Sequence, residues 1–518
     1  MRRGTLFAVV VLVVLSGCTV PGTPGQLDTD RELGSVAGYA ADDEFAFGEE
    51  ATLTEDELEA VTYRSMARLE VIRGMKFERA VDIEVITREE YREQRGEPEA
   101  ASTFRNEVWR APFVVDGETD VNDEFEALYG DAVQGYYSSD RIVLVADDSD
   151  EIRIDRGTLV HELTHALQDQ HFGLEREGET IDERRAELGL IEGEANYLPY
   201  LYDERCADEW QCLPDPGTPA ELEPGDRPFN LGLFLSIYAP YAEGPAFVSH
   251  LHETEGWSAV DRAFDDRPVS TSQVIHPARY PDDEPVDVDI TDRSSDAWDP
   301  ITDDDDGEIR TETIGEATLF GSLWTNGVVD RPLTEGGSEL APYNYTHPTT
   351  DGWAGDTLTA YEHTDEETDD NVTAHVWKLA WADAADAEAF ADAYRGVLEA
   401  NGADPVDAGA DSDTYRIDDG GFAGAFHVFV DDERVTIVGG PDVDALEEIH
   451  ATADGDASTD ADADVDTDAT LEAGGNASAN ASMAADVDLD VAASADVEVA
   501  ASVDAPTATG SSLGSAVS

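Results

Sequence analysis

Thr158-Leu-Val-His161-Glu162-Leu-Thr-His165-Ala-Leu167 is the stretch of this 518-residue chain on which the rest of the reading depends. The two histidines are four residues apart. On an α-helix that spacing puts both imidazoles on one face, about one turn apart, within reach of a single zinc ion. Glu162 lies beside them, where a carboxylate can take the proton of a zinc-bound water and pass it to a leaving amine. A bare His-Glu-X-X-His arises by chance in many proteins. Here the flanking Leu159, Val160, Leu163, Ala166 and Leu167 are uncharged and no proline interrupts, as a buried metal-bearing helix requires. The helical pattern runs from Arg156 to Phe172, and a second one follows from Glu183 to Leu201.

A catalytic zinc site takes three protein ligands and leaves a position for water. Ile191-Glu192-Gly193-Glu194-Ala195-Asn196 lies on the second of these helices and offers Glu192, 27 positions after His165, as the third ligand. Glu194 is the alternative. Two residues along a helix rotate a side chain by about 200°, so both carboxylates cannot face one ion. A rival arrangement uses His171, because His161, His165 and His171 match the His-Glu-X-X-His-X-X-Gly-X-X-His spacing of metzincin peptidases. The glycine of that pattern is Gln168 here, and the only methionine after His171 is Met483, far from any turn beneath the site. Without that role, His171 reads as a cation at a helix C-terminus, where it is favoured.

The arrangement of His161, Glu162, His165 and Glu192 resembles the gluzincin metallopeptidases, in which Glu-Gly-X-Ala or Glu-X-X-Ala follows the zinc helix and its first Glu binds metal. His161-Glu-Leu-Thr-His-Ala-Leu-Gln-Asp-Gln-His-Phe172, followed by Glu192-Gly-Glu-Ala195, is similar to a group of secreted bacterial and archaeal zinc metallopeptidases of gluzincin-like organisation. Gly135-Tyr-Tyr137, Ser270-Thr-Ser-Gln-Val-Ile-His-Pro-Ala-Arg-Tyr280 and Gly352-Trp-Ala-Gly-Asp356 resemble further segments of that group. The resemblance covers roughly residues 50–400. It implies that Asn196, one turn past Glu192, accepts a hydrogen bond from His161. It also makes His276 and Tyr280 candidates for stabilising an oxyanion, a role that needs a donor from outside the zinc helix. A non-catalytic surface lipoprotein with a structural zinc site is the competing expectation. A solute-binding lipoprotein is a weaker one, because it leaves the zinc helix unexplained.

Working outward, Thr54 caps a helical pattern over residues 55–73, and Val81–Ile86 and Ile142–Val145 read as strands. The strand at 142–145 is expected to be a sheet edge to which an extended peptide pairs. Tyr241–Phe264 reads as helix with a break at Gly256-Trp257, and residues 282–306 as an acidic loop. The expected fold class is α+β, with a zincin-like domain over 46–307 and a small α+β domain over 308–450. In the latter, Thr373–Trp381 reads as a strand, Ala384–Ala400 as a helix stopped by Asn401-Gly402, and Asp431-Asp432-Glu433 as a hairpin turn before a short helix. Residues 451–518 carry 14 acidic residues, no Lys or Arg and no aromatics, so they are expected to be a disordered acidic tail.

At the other end, Arg2 and Arg3 precede the ten-residue apolar run Leu6–Leu15, too short to span a bilayer, which takes about 20 helical residues. Leu15-Ser-Gly-Cys18 resembles a lipoprotein box, so residues 1–17 are expected to be a signal peptide and Cys18 the lipidated new N-terminus. Residues 18–45 then read as a tether that holds the protein at the extracellular face of the membrane. Cys206 and Cys212 are expected to pair as a disulfide in that oxidising compartment. Asn344, Asn371, Asn476 and Asn480 begin glycosylation sequons. With 31 Lys+Arg against 117 Asp+Glu the net charge is −86. That excludes nucleic acid as a partner, since phosphate binding needs clustered cations, and leaves a peptide or protein substrate. Self-repulsion of this size is screened only in salt, and the composition resembles that of proteins from extreme halophiles.

Overall fold

The computed structural model describes residues 25–45, 52–95, 98–129, 135–138, 141–146, 152–213, 230–303, 307–364, 371–406, 413–451 and 492–493. The signal sequence, Cys18, the sequons at Asn476 and Asn480 and nearly all of the acidic tail lie outside them. Helices and largely antiparallel sheets make an α+β chain. Among the described residues no helix is long and apolar enough to cross a membrane.

The first long helix, Glu55–Arg73, begins at a capping box in which Thr54 and Glu57 satisfy each other's backbone N–H groups. It buries Leu58, Val61, Met66, Leu69 and Ile72, the stripe read from the sequence. It also buries Glu70, and that carboxylate reorganises what precedes it. Arg31 forks onto Glu70, and the backbone N–H groups of Gly34 and Phe77 donate to it. The expected tether is therefore docked from residue 25 onward. Ser35–Val36 pairs with Tyr39–Ala40, and Val36 is fully buried. Composition pointed to a loose segment because the partner of Arg31 lies 39 residues away.

Three strands lie under the motif helix. Asp82–Thr87 runs parallel to Arg141–Ala146, and Gly135–Ser138 runs antiparallel to it on the other side. Ala492–Ala493 adds antiparallel to the outer edge of Gly135–Ser138. The strand at 142–145 is thus interior, not the expected edge. Its unbroken apolar run Ile142-Val143-Leu144-Val145 suits a central position. Over this sheet packs the motif helix Arg156–His171, started by Asp155, whose side chain accepts from Thr158 N. It is buried nearly all round from Thr158 to Gln168, as its uncharged window demanded.

The next helix, Ile181–Asp208, starts at a Thr180/Glu183 capping box and ends beside the Cys206–Cys212 disulfide. Its neighbour Leu231–Glu255 begins ten residues earlier than the sequence pattern indicated and runs through Pro240 and Pro245. Gly256 (φ +77°) then breaks it from Trp257–Asp265, as expected. The two long helices touch backbone to backbone. A Cβ on Gly193 would lie 2.5 Å from Gly244 O, so only glycine fits.

Beyond residue 300, the strands Trp353–Thr364, Asn371–Trp381, Arg434–Gly440, Gly424–Asp431 and Thr414–Ile417 form one antiparallel sheet in that spatial order. The helices Ala384–Ala400 and Val443–Ile449 match the sequence reading. The boundary expected at 307/308 is not a boundary in the packing. Asp299–Pro300 pairs with Trp353–Thr364. One apolar core joins Phe104, Val108 and Trp109 to Leu235, Phe320 and Trp324 and on to Trp377, Phe390 and Ile437. Glu107 reaches across this core to His375 Nδ1 and Thr373 Oγ1, and Arg110 with His375 holds its carboxyl down at about 2 despite burial.

Candidate metal centre

The motif helix and helix Ile181–Asp208 bring His161, His165 and Glu192 together. The Nε2 atoms of the two histidines are 3.0 Å apart. Glu192 Oε2 lies 3.3 Å from His161 Nε2 and 3.5 Å from His165 Nε2. A tetrahedral ion with bonds of about 2.0–2.1 Å spaces its ligands by about 3.3–3.4 Å, so this triangle has the dimensions of a zinc-sized site. All three residues are buried, with His161 3% exposed and the other two at 0%.

Electrostatics make the same demand. Neither oxygen of the Glu192 carboxylate accepts a hydrogen bond, though both are sealed from solvent. A dry carboxylate is costly unless a cation answers it. Burial pushes Glu192 up, but the facing His165 and His161 outweigh it and hold the group down at about 2. Burial likewise disfavours the His165 cation, yet Glu192, with Glu162 and Gln168, lifts it to about 9. Without metal, the pocket keeps a proton where a divalent ion fits. Glu162 is fully buried on the same helix and close enough to His165 to act on its charge.

The two glutamates of the Glu-Gly-Glu run divide as helical geometry requires. Glu194 turns away from the triad and pairs with Arg73, and Glu192 is the one of the two that joins His161 and His165 in a group able to hold a metal ion. The rest of the motif is accounted for residue by residue. Gln168 Oε1 meets His165 Nδ1 at 2.9 Å. Asp169 accepts from Tyr137 Oη at 2.7 Å, tying the strand Gly135–Ser138 to the motif helix. Gln170 Oε1 accepts from Glu78 N and Arg79 N. His171 Nε2 donates to Lys76 O at 2.7 Å. That contact takes His171 away from the metal-ligand role the metzincin spacing gave it.

Three further expected site residues have partners of their own. Asn196 donates through Nδ2 to Glu192 O, one turn back on its own helix. That bond engages the amide nitrogen, and among the described residues no hydrogen bond joins the amide oxygen to His161. His276 Nε2 pairs with Glu316 Oε1 at 2.9 Å and lies 3.7 Å from Asp351 Oδ1. Arg279 also reaches Glu316, so this second cluster already has a cation of its own. Tyr280 Oη donates to Asp266 O at 2.6 Å, and burial pushes the phenol up to about 12. Both side chains are engaged in structural bonds, so the oxyanion role is not assigned to them. Sequence reasoning missed Gln168 as the partner of His165. Its position three residues later, on the same helix face, was the available signal. Nothing in the sequence pointed to Arg73.

A family model described as a domain of unknown function, DUF8575, matches residues 301–450. The match covers the C-terminal sheet and leaves His161, His165 and Glu192 outside it. No curated protein and no solved structure matches the chain.

Proposed function

We propose that this chain is a zinc-dependent metallopeptidase of gluzincin-like organisation, exported and held at the extracellular face of the membrane by a lipid on Cys18. The observation that carries the reading is the triangle of His161 Nε2, His165 Nε2 and Glu192 Oε2, with sides of 3.0, 3.3 and 3.5 Å and Glu162 beside it. Those three residues would hold the ion. When bound, zinc supplies Lewis acidity and lowers the pKa of a water toward neutrality. Glu162 would accept the proton of the attacking water and return it to the departing amine, one carboxylate acting first as base and then as acid. The outer edge of Gly135–Ser138 receives Ala492–Ala493 antiparallel, so that edge can take an extended peptide in the same manner. Tyr137, bonded to Asp169, would keep such a peptide alongside the motif helix. The disulfide Cys206–Cys212 fits an oxidising compartment outside the cell.

One observation favours a second reading. The triad and Glu162 are almost entirely sealed, which suits a structural ion in a non-catalytic surface lipoprotein. Peptide hydrolysis in concentrated salt separates the two, comparing the purified protein with Glu162→Gln. The peptidase reading expects equal zinc content and a loss of rate of at least about 10²-fold in the variant. Equal rates in the two proteins would remove Glu162 from the chemistry. Zinc-dependent melting without hydrolysis would establish the structural site.

A further inference from the structure

We infer that Gln168 and Glu194 are positioning residues for His165, and that Arg73 fixes the tautomer of this ligand through them. The inference rests on the metal reading above and concerns how the site is held ready for its ion. Gln168 Nε2 donates to two groups that can only accept, Ile191 O at 2.9 Å and Glu194 Oε2 at 3.0 Å. The amide therefore cannot be turned over, and its oxygen must face His165 Nδ1 at 2.9 Å. An amide oxygen accepts only, so Nδ1 carries a proton whether His165 is charged or neutral, and once the second proton leaves, it is the Nε2 lone pair that faces His161 and Glu192. Arg73 holds the Glu194 side chain in place through Nε, while its Nη2 binds Asp261 and its guanidinium lies 4.6 Å from the Trp257 ring centroid. The Arg73 and Glu194 side chains are each only 2% exposed, so water does not compete for the pair.

The chain Arg73–Glu194–Gln168–His165 gives the second glutamate of Glu192-Gly-Glu194 a purpose. One carboxylate faces the ion and the other anchors the amide that orients a ligand. A neutral amide between carboxylate and imidazole keeps the second negative charge one bond further from the metal than a direct carboxylate–histidine contact would.

The experiment uses the full chain labelled with 15N-histidine, metal-free and with zinc, alongside Gln168→Met and Glu194→Gln. In the wild type, His165 should show a hydrogen-bonded Nδ1–H that exchanges slowly with solvent in both states. Gln168→Met should lose that protected proton and weaken zinc binding, read by chelator competition, about 10- to 100-fold. Glu194→Gln should give a smaller loss. A merely structural role would lower the melting temperature and leave both the Nδ1 signal and the zinc affinity unchanged. Wild-type affinity in a folded Gln168→Met, or a fast-exchanging Nδ1 in the wild-type protein, overturns the inference. Should Gln168→Met not fold, the wild-type spectrum decides alone. Because Nδ1 is read without metal, a protein that binds no zinc would refute the peptidase reading and still test the relay.

Discussion

Raising the pH from about 7 to about 9 should tighten zinc binding steeply, and the size of the effect follows from one hydrogen ion. Without metal, Glu192 lifts His165 to about 9, and that proton must leave before Nε2 can bind an ion. At pH 7, two units below, roughly one molecule in a hundred offers a free imidazole, and at pH 9 about half do. The apparent affinity should therefore rise about 50-fold across this range, and zinc binding at pH 7 should release about one proton from His165. Calorimetric titration in buffers of different ionisation enthalpy, with zinc delivered from a chelator in concentrated salt, measures both quantities. A pH-independent affinity without proton release would show that Glu192 does not face His165 as described.

The same ion pair bears on stability. His165 sits above its ordinary 6.5, so its contribution is fully present below about pH 6.5 and is lost as the pH rises through about 9. Burial also raises Asp182, Glu243 and Glu312 to about 7 each. Their folded forms hold protons that the unfolded chain has released, so they too favour the folded state as the pH falls. The melting temperature of the metal-free protein should be higher near pH 5 than near pH 8, and a lower value at pH 5 would contradict this sign. Arg73→Met strands the buried Glu194 and should cost about 3–5 kcal/mol in denaturant unfolding. Arg141→Met, which breaks the exposed pair with Glu84, should cost no more than about 1 kcal/mol. Gly193→Ala forces a methyl against the Gly244 backbone and should lose about 1–3 kcal/mol or more, with weaker zinc binding because Glu192 is adjacent. Opening the six-residue Cys206–Cys212 loop by Cys206→Ser with Cys212→Ser should cost about 2 kcal/mol by the loop-entropy estimate, measured by thermal unfolding.

The group of residues that could hold an ion was legible because its spacing is local. His161 and His165 are fixed by helical spacing, and Glu192 and Glu194 by their opposite faces on one helix. The same locality made the helices Glu55–Arg73 and Ala384–Ala400 readable, since caps and apolar stripes act within a few residues. The parts that failed all depend on distant partners. Residues 25–45 looked loose because the buried Glu70 that orders them is far along the chain. The strand at 142–145 looked like an edge because sequence does not show what pairs on either side. Asn196, His276 and Tyr280 entered through a family resemblance; Asn196 bonds one turn back on its own helix, whereas His276 meets Glu316 and Tyr280 meets the Asp266 carbonyl, contacts that sequence spacing does not show. Across the expected division at 307/308 the apolar core is continuous from Trp109 to Trp377, a packing that sequence pattern does not show.

The most direct measurement is the metal content of the purified protein after saturation with zinc and removal of excess, compared with His161→Ala and Glu192→Gln. A convergent site of two imidazoles and one carboxylate requires one tightly held zinc per chain in the wild type and none retained in either variant. Equal zinc in all three proteins, or none in the wild type, would contradict it.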